Sequence, residues 1–255
     1  MKEIGIDICI ISYELLDELK DLVASIKQNT TLPYTITIVD NASKNKELID
    51  YLKNLASPKV EVIFNRENLG YSKAVNQGVN VGRFPHILIL NNDTQTTEAY
   101  DKASVSFMQK HKSCGVLGYK LVDKKGRSKG CGVDFNNTLR GWNKSLDYVD
   151  AKYSKPEKVK YIGGSAIFTR RDVFESVGGF CEEMRFYCED LMYCLQAKEL
   201  GFSTWYIPHI IVHHHEASLD SSKDATRIRR AEYFTKSLRI LKKYFPEEPG
   251  IARME

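Results

Sequence analysis

The chain contains no apolar run approaching the roughly 18 to 20 residues that a membrane span requires. Its N-terminus goes straight into a strand pattern, without the charged, apolar and small-residue order of a signal peptide. The expectation is a cytoplasmic protein. Charge of one sign is also missing: 37 Lys and Arg against 33 Asp and Glu leave a formal net charge of +4, well short of a dedicated nucleic-acid binder. No CxxC pair occurs among the six cysteines, and a chain this large does not need staples, so they read as reduced thiols. Internal repeats and low-complexity tracts are absent too. What is present is an ordinary globular composition, 255 residues that are 42% hydrophobic and 27% charged, enough to bury a large core.

The first half alternates strand-like runs with helical periodicity. Ile6 to Ser12 reads as a buried strand, followed by Leu15, Leu16, Leu19, Leu22, Val23 and Ile26 at the spacing of one helix face. Tyr34 to Asp40 is the next strand, Leu48, Leu52 and Leu55 mark a helix, and Val60 to Asn65 is a third strand. "SKAVNQGVNVG" is a short helix ended by glycine, and "HILILNND" a fourth strand. Strands separated by helices imply right-handed crossovers and a mainly parallel sheet covered on both faces. From about Gly115 the alternation fails: "YKLVDKKGRSKGCGVDFNN" suggests hairpins and loops, and "NKSLDYVDAKYSKPEK" is strongly polar.

In open α/β sheets, ligands bind beyond the carboxyl ends of the strands. Three strands end there in polar residues: Asp40-Asn41, Asn65 and Asn92-Asp93. Asn and Asp also cap helices and start turns, so it is their joint placement that points to a site. Further on, Gly163-Gly164 either lets a ligand approach the backbone or makes a sharp turn with positive φ. Glu189 and Asp190 fall in the first turn of a helix. There they either complement the helix dipole or act as a general base of perturbed pKa. His213, His214 and His215 end an extended segment, on which at most two can share a face, so three in a row do not make a metal cage. One imidazole together with Asp93 could complete the coordination of a divalent ion that also binds a phosphate-bearing ligand.

The segments "DICIISYE", "TITIVDNASK", "NRENLGYSKAVNQGV", "ILILNNDT", "GGSAIFTRRDVFESVGGF", "FYCEDLMYCLQAKELGF" and "YIPHIIVHHHEAS" run in this order from Asp7 to Ser218. Together they resemble the family 2 glycosyltransferases of GT-A fold, in particular the rhamnosyltransferase-like branch. The resemblance implies a GT-A domain over 1–218, with its nucleotide-binding part at about 1–120 and its acceptor and catalytic part at about 121–218. Residues 219–255 would be a C-terminal helical extension. The implied activity is inverting transfer of a sugar from a nucleotide-diphosphate donor, of dTDP-rhamnose or UDP-hexose type, to a hydroxyl of a glycan or lipid-linked acceptor. The donor site would include Ile11, Ser12, Tyr13, Asp40, Asn41, Ser43, Asn68, Gly70, Asn76, Asn91, Asn92, Asp93 and Gly164. Asp93 matches the last residue of the family's DxD-type motif, and with His214 it would hold a divalent cation, Mn²⁺ or Mg²⁺. Asp190 matches the catalytic base, with Glu189 beside it.

The sequence departs from that pattern in places. Asn91 stands where many relatives carry the first acid of DxD, so the ion would rest on little protein charge. Met192 and Gln196 replace an aspartate and an arginine that often follow the acid pair. These departures keep a silent nucleotide- or glycan-binding protein as a rival reading. A nucleotidyltransferase is the other, but "DICIISYELLDELK" lacks the Gly-rich phosphate loop that it would carry near its N-terminus. The C-terminal segment places Ile228, Ala231, Phe234, Leu238 and Leu241 on one helical stripe among Arg227, Arg229, Arg230, Lys236, Arg239, Lys242 and Lys243. Its basic face is either solvated or in peripheral contact with anionic lipid at the inner face of the cell membrane.

Overall fold

The structure is a computed structural model that describes residues 3–130, 154–215, 224–248 and 251, with backbone only at 129–130 and 224–229. The chain builds one mixed sheet of ten strands. The first four are β1 (Ile6–Ser12), β2 (Tyr34–Asp40), β3 (Val60–Phe64) and β4 (His86–Asn91), followed by β5 (Thr94–Thr96) and β6 (Cys114–Val122). β7 (Ser128–Gly130), β8 (Glu157–Val159), β9 (Ala166–Arg170) and β10 (Ser203–His214) complete it. The main path runs β3-β2-β1-β4-β9-β6-β10-β5, with β7 beside β6 and β8 beside β10. β3, β2, β1 and β4 are mutually parallel, whereas β9 enters antiparallel between β4 and β6.

Seven helices are described: α1 (Leu16–Asn29), α2 (Lys46–Leu55), α3 (Tyr71–Val81), α4 (Tyr100–Lys110), α5 (Arg171–Val177), α6 (Glu189–Glu199) and α7 (Asp224–Tyr244). They pack on two sides because strand side chains alternate. On β1, Ile6, Ile8 and Ile10 join the core shared with α1, α2 and α4, while Cys9 and Ile11 join the core shared with α3, α5, α6 and α7. A buried Arg171–Asp7 ion pair at 2.8 Å ties the start of α5 to β1 at the amino edge of the sheet. Asp7 also accepts from Thr35 Oγ1 and Phe84 N, which offsets the desolvation of its charge.

Two sequence expectations are sharpened. The segment from Tyr119, read as hairpins and loops, holds a hairpin of β6 and β7, but its first arm is the nine-residue strand Cys114–Val122, deep in the sheet. Its glycines make room for packing: a Cβ on Gly115 would meet Phe202 at 2.8 Å, and one on Gly118 would meet Ile162 at 2.3 Å. The expected stripe of α7 holds at Phe234, Leu238 and Leu241 and gives way only at Ala231 among the described side chains. Ala231 is exposed, whereas Ser237, Ile240 and Leu241 are buried, with Phe234 and Leu238 at the margin. The side chain of Ile228, the polar segment 131–153 and residues Glu216 to Ser218 lie outside the described residues.

Candidate active site

Strand register sets the site out as a row along the carboxyl edge of the sheet. Asp40 at the end of β2 pairs with Ser12 of β1, and Ile11 of β1 pairs with Asn91 of β4. Asn91 N then donates to Ser165 O, just ahead of β9. Because adjacent strands lie about 4.8 Å apart, a ligand lying across this edge meets a new strand end at each such step.

The β1–β2 end of the row carries two buried polar atoms with no hydrogen-bond partner among the described residues, Ser12 Oγ and Asp40 Oδ1. Asp40 Oδ2 accepts from Ser43 N at 3.1 Å, and Ser43 Oγ accepts from Glu14 N at 2.9 Å. Burial raises the Asp40 pKa; the Ser43 bonds oppose this and the Glu14 charge adds to it. Glu14 was not singled out from the sequence, although its carboxylate accepts from Lys44 N and Asn45 N and joins the loops after β1 and β2. Ile11 is buried and Tyr13 half-buried; Tyr13 O accepts from Asn92 Nδ2 at 3.4 Å.

Asn41 is wholly engaged in building the loop after β3. Its Nδ2 donates to Asn68 Oδ1 and Gly70 O, and its Oδ1 accepts from Leu69 N and Asn65 Nδ2. Asn68 Oδ1 also accepts from Gly70 N. Gly70 has φ 87°, and a Cβ there would lie 2.7 Å from Arg185 O, so a glycine is required. Asn76 Nδ2 donates to Phe180 O at 2.9 Å and its Oδ1 accepts from Phe180 N at 2.8 Å. Asn41, Asn68 and Asn76 therefore shape the site by fixing the segments around it.

Tyr71, the first residue of α3, links the two halves of the site. Its hydroxyl donates to Gly164 O at 2.7 Å, and Gly164 N donates to Asp190 Oδ2 at 2.8 Å. Its pKa is raised by burial and then by the negative charges of Glu189, Asp190 and Asp93 among others. The sequence signal for Tyr71 was an aromatic residue directly after the loop glycine. Gly163 and Gly164 do not have positive φ; Gly164 presents its N–H to Asp190.

Asp190 also accepts from Leu191 N at 2.7 Å. Glu189 is 7% exposed, and its Oε2 has no hydrogen-bond partner. Burial pushes both carboxyls up, and the Asp190 charge lifts Glu189 further, while the two backbone N–H groups hold Asp190 below it. Asp190 is thus the first of the pair to ionise. The backbone ahead of the pair is left-handed at two non-glycine residues, Tyr187 (φ 70°) and Cys188 (φ 63°). Such conformations cost about 1–3 kcal/mol each and cluster where geometry is functionally constrained. The Cys188 thiol is buried, which raises its pKa.

At the far end of the row, β5 folds back along β10, so that Thr94 pairs with His214. This sets His214 Nε2 3.3 Å from Asp93 Oδ1, and His215 N donates to Asp93 O at 2.9 Å. One carboxylate oxygen and one imidazole nitrogen suit a divalent ion whose other positions are filled by a ligand. No group of three or more His, Cys, Asp or Glu residues able to hold a metal occurs among the described residues. A cleft of about 1020 Å³ opens at the opposite, amino edge of the sheet beside Asp7, Thr37, Lys59 and Arg83. It contains none of the row, and its size does not outweigh the grouping of chemistry at the carboxyl edge.

Solved structures share this architecture. GalNAc-T7, in a structure with UDP, GalNAc and Mn²⁺, superposes with a TM-score of 0.66 at 15% identity over 91% of this chain and 48% of its own. The mannosyltransferase PcManGT of Pyrobaculum calidifontis, in complex with GDP-Man and Mn²⁺, gives 0.63 at 15% identity over 93% of this chain and 64% of its own. The chain thus spans about half to two-thirds of those proteins, and the fold is GT-A. Residues 7–178 match the family described as glycosyl transferase family 2, and the chain belongs to that family. Among curated proteins, the N-acetylglucosaminyl-diphospho-decaprenol L-rhamnosyltransferase of Mycobacterium tuberculosis is 23% identical over 81% of this chain and 75% of its own. The O-antigen biosynthesis protein RfbC of Myxococcus xanthus is also 23% identical, over 86% of this chain but 18% of its own. The protein is a glycosyltransferase.

Proposed function

We propose that the enzyme moves a sugar, with inversion, from a nucleoside-diphosphate donor to a hydroxyl of a glycan or lipid-linked acceptor. The observation that carries this reading is the hydrogen-bonded run from Tyr71 through Gly164 to Asp190 at the same carboxyl edge where Asp93, just after β4, lies 3.3 Å from His214, which supports a base end and a phosphate end within one site. Asp190 takes the proton from the acceptor hydroxyl as its oxygen attacks the anomeric carbon, a form of help typically worth about 10²–10⁴-fold. The bond to the diphosphate breaks on the opposite side of that carbon. Asp40 and Ser12, with their unpartnered oxygens, receive the nucleoside. Asp93 and His214 would hold a divalent cation, which when bound supplies positive charge to the departing diphosphate.

The mycobacterial relative acts, by its name, on a diphospho-decaprenol-linked sugar, and this supports a lipid-linked acceptor and a donor of the rhamnose or hexose type. No described helix is long and apolar enough to cross a membrane. Lys236, Lys242 and Lys243 are exposed on α7, and each basic residue near an anionic surface contributes about 1 kcal/mol to peripheral contact. Calorimetric titration with dTDP and UDP tests the cation's part. Affinity for the preferred nucleotide is expected to fall at least about tenfold on chelation and in Asp93→Ala. Equal affinity with and without Mn²⁺ or Mg²⁺ would remove the cation from the reading.

A further inference from the structure

Four residues ahead of Asp190, the loop that delivers the base exposes a phenylalanine. Phe186 is 38% exposed. A lone exposed apolar residue needs no explanation, but this ring is held from several directions. It lies 6.4 Å from the ring of Tyr71 and is stacked at 27° on Tyr233 of α7, also at 6.4 Å. Its carbonyl accepts from Ser237 Oγ at 3.0 Å, and Ser237 is 1% exposed. The Arg185 guanidinium covers the Tyr233 ring at 5.9 Å and donates to Asn68 O. The two left-handed residues that follow, Tyr187 and Cys188, fix the loop further. A loop that only connected elements would not need to hold this conformation.

Tyr71 joins the exposed ring to the base, since its ring meets Phe186 and its hydroxyl reaches the glycine that hydrogen-bonds Asp190. We infer that Phe186, backed by Tyr233, is the platform on which the C–H face of the acceptor's pyranose ring stacks, presenting a hydroxyl to Asp190. The inference rests on Asp190 acting as the base. A general base must lie about 2.6–3.2 Å from the proton it takes, so the moiety beside it carries the hydroxyl. The shelf is also bordered by the exposed Arg185, whose guanidinium lies over the Tyr233 ring. That charge suits the hydroxyls around a sugar and disfavours a hydrocarbon tail.

The test compares wild type with Phe186→Ala, Phe186→Leu and Phe186→Trp, using a panel of octyl pyranosides as acceptors and the nucleotide sugar that the wild type binds most tightly. The expected result is an acceptor KM raised about tenfold or more in the Ala and Leu variants and restored to within about threefold by Trp. Affinity for the nucleotide sugar, read by calorimetry, stays unchanged in all three. Wild-type behaviour of Phe186→Leu would assign the shelf to apolar bulk, as for a lipid chain, and would overturn the inference. So would an equal loss of donor affinity in Phe186→Ala, which would make the loop part of the donor site. A wild type that binds nucleotide sugar yet transfers to no pyranoside overturns the acceptor class alone. One that binds no nucleotide sugar overturns the underlying reading of the site instead.

Discussion

Glu189 and Asp190 are adjacent carboxylates whose roles are separated by two backbone N–H groups. Leu191 and Gly164 both donate to Asp190, while Glu189 keeps an unpartnered oxygen. These donors favour the charged form of Asp190, so the proposed mechanism places the shared proton on Glu189. The acid limb of kcat/KM is expected above the ordinary aspartate value of 3.8, with activity lost as the pH falls through the raised pKa. Glu189→Gln keeps a neutral neighbour, so the limb should stay in place; a limb that moves down would show that Glu189 is charged in the active form. Stability follows the opposite sense. A buried acid whose folded pKa is raised binds more protons in the folded state, so stability falls as pH climbs above the ordinary glutamate value of 4.5. Melting curves of Glu189→Gln should match wild type near about pH 5 and exceed it near about pH 9.

At the level of elements, the carboxyl-edge loops carry the site and are braced by asparagines. Asn41 makes four hydrogen bonds to the segment Asn65 to Gly70, and that segment leads into Tyr71. Asn41→Ala is expected to destabilise the fold by about 2–3 kcal/mol, because buried partners lose their bonds. Nucleotide affinity should fall with it as the loop loosens, and denaturant unfolding beside calorimetry checks both; an unchanged midpoint would contradict the bracing role. The polar residues at the strand ends were legible in the sequence, since Asn and Asp after apolar runs mark the ligand edge of such sheets. Which way each side chain turns was not. That depends on partners such as Phe180 for Asn76, about a hundred residues away. Strand β6 was illegible for a different reason: Gly115 and Gly118 look like loop residues until Phe202 and Ile162 pack against them.

Across the whole molecule, the first four parallel strands and their helices follow from periodicity alone, because each element is local. The second half is antiparallel in part and held by distant contacts. β9 inserts between β4 and β6, and α7 with the residues that follow it packs Leu241, Phe245 and Ile251 into the core that also holds α6. In the proposed function the nucleotide end comes from β1, β2 and β4 and the base from α6, to which Tyr71 connects through Gly164. This division makes the two ends separable by experiment. The most direct measurement is sugar transfer by wild type and Asp190→Asn with the same donor and acceptor, alongside donor affinity. The account predicts a kcat lowered about 10²–10⁴-fold in the variant with donor affinity kept within about threefold. Undiminished transfer by Asp190→Asn would contradict it.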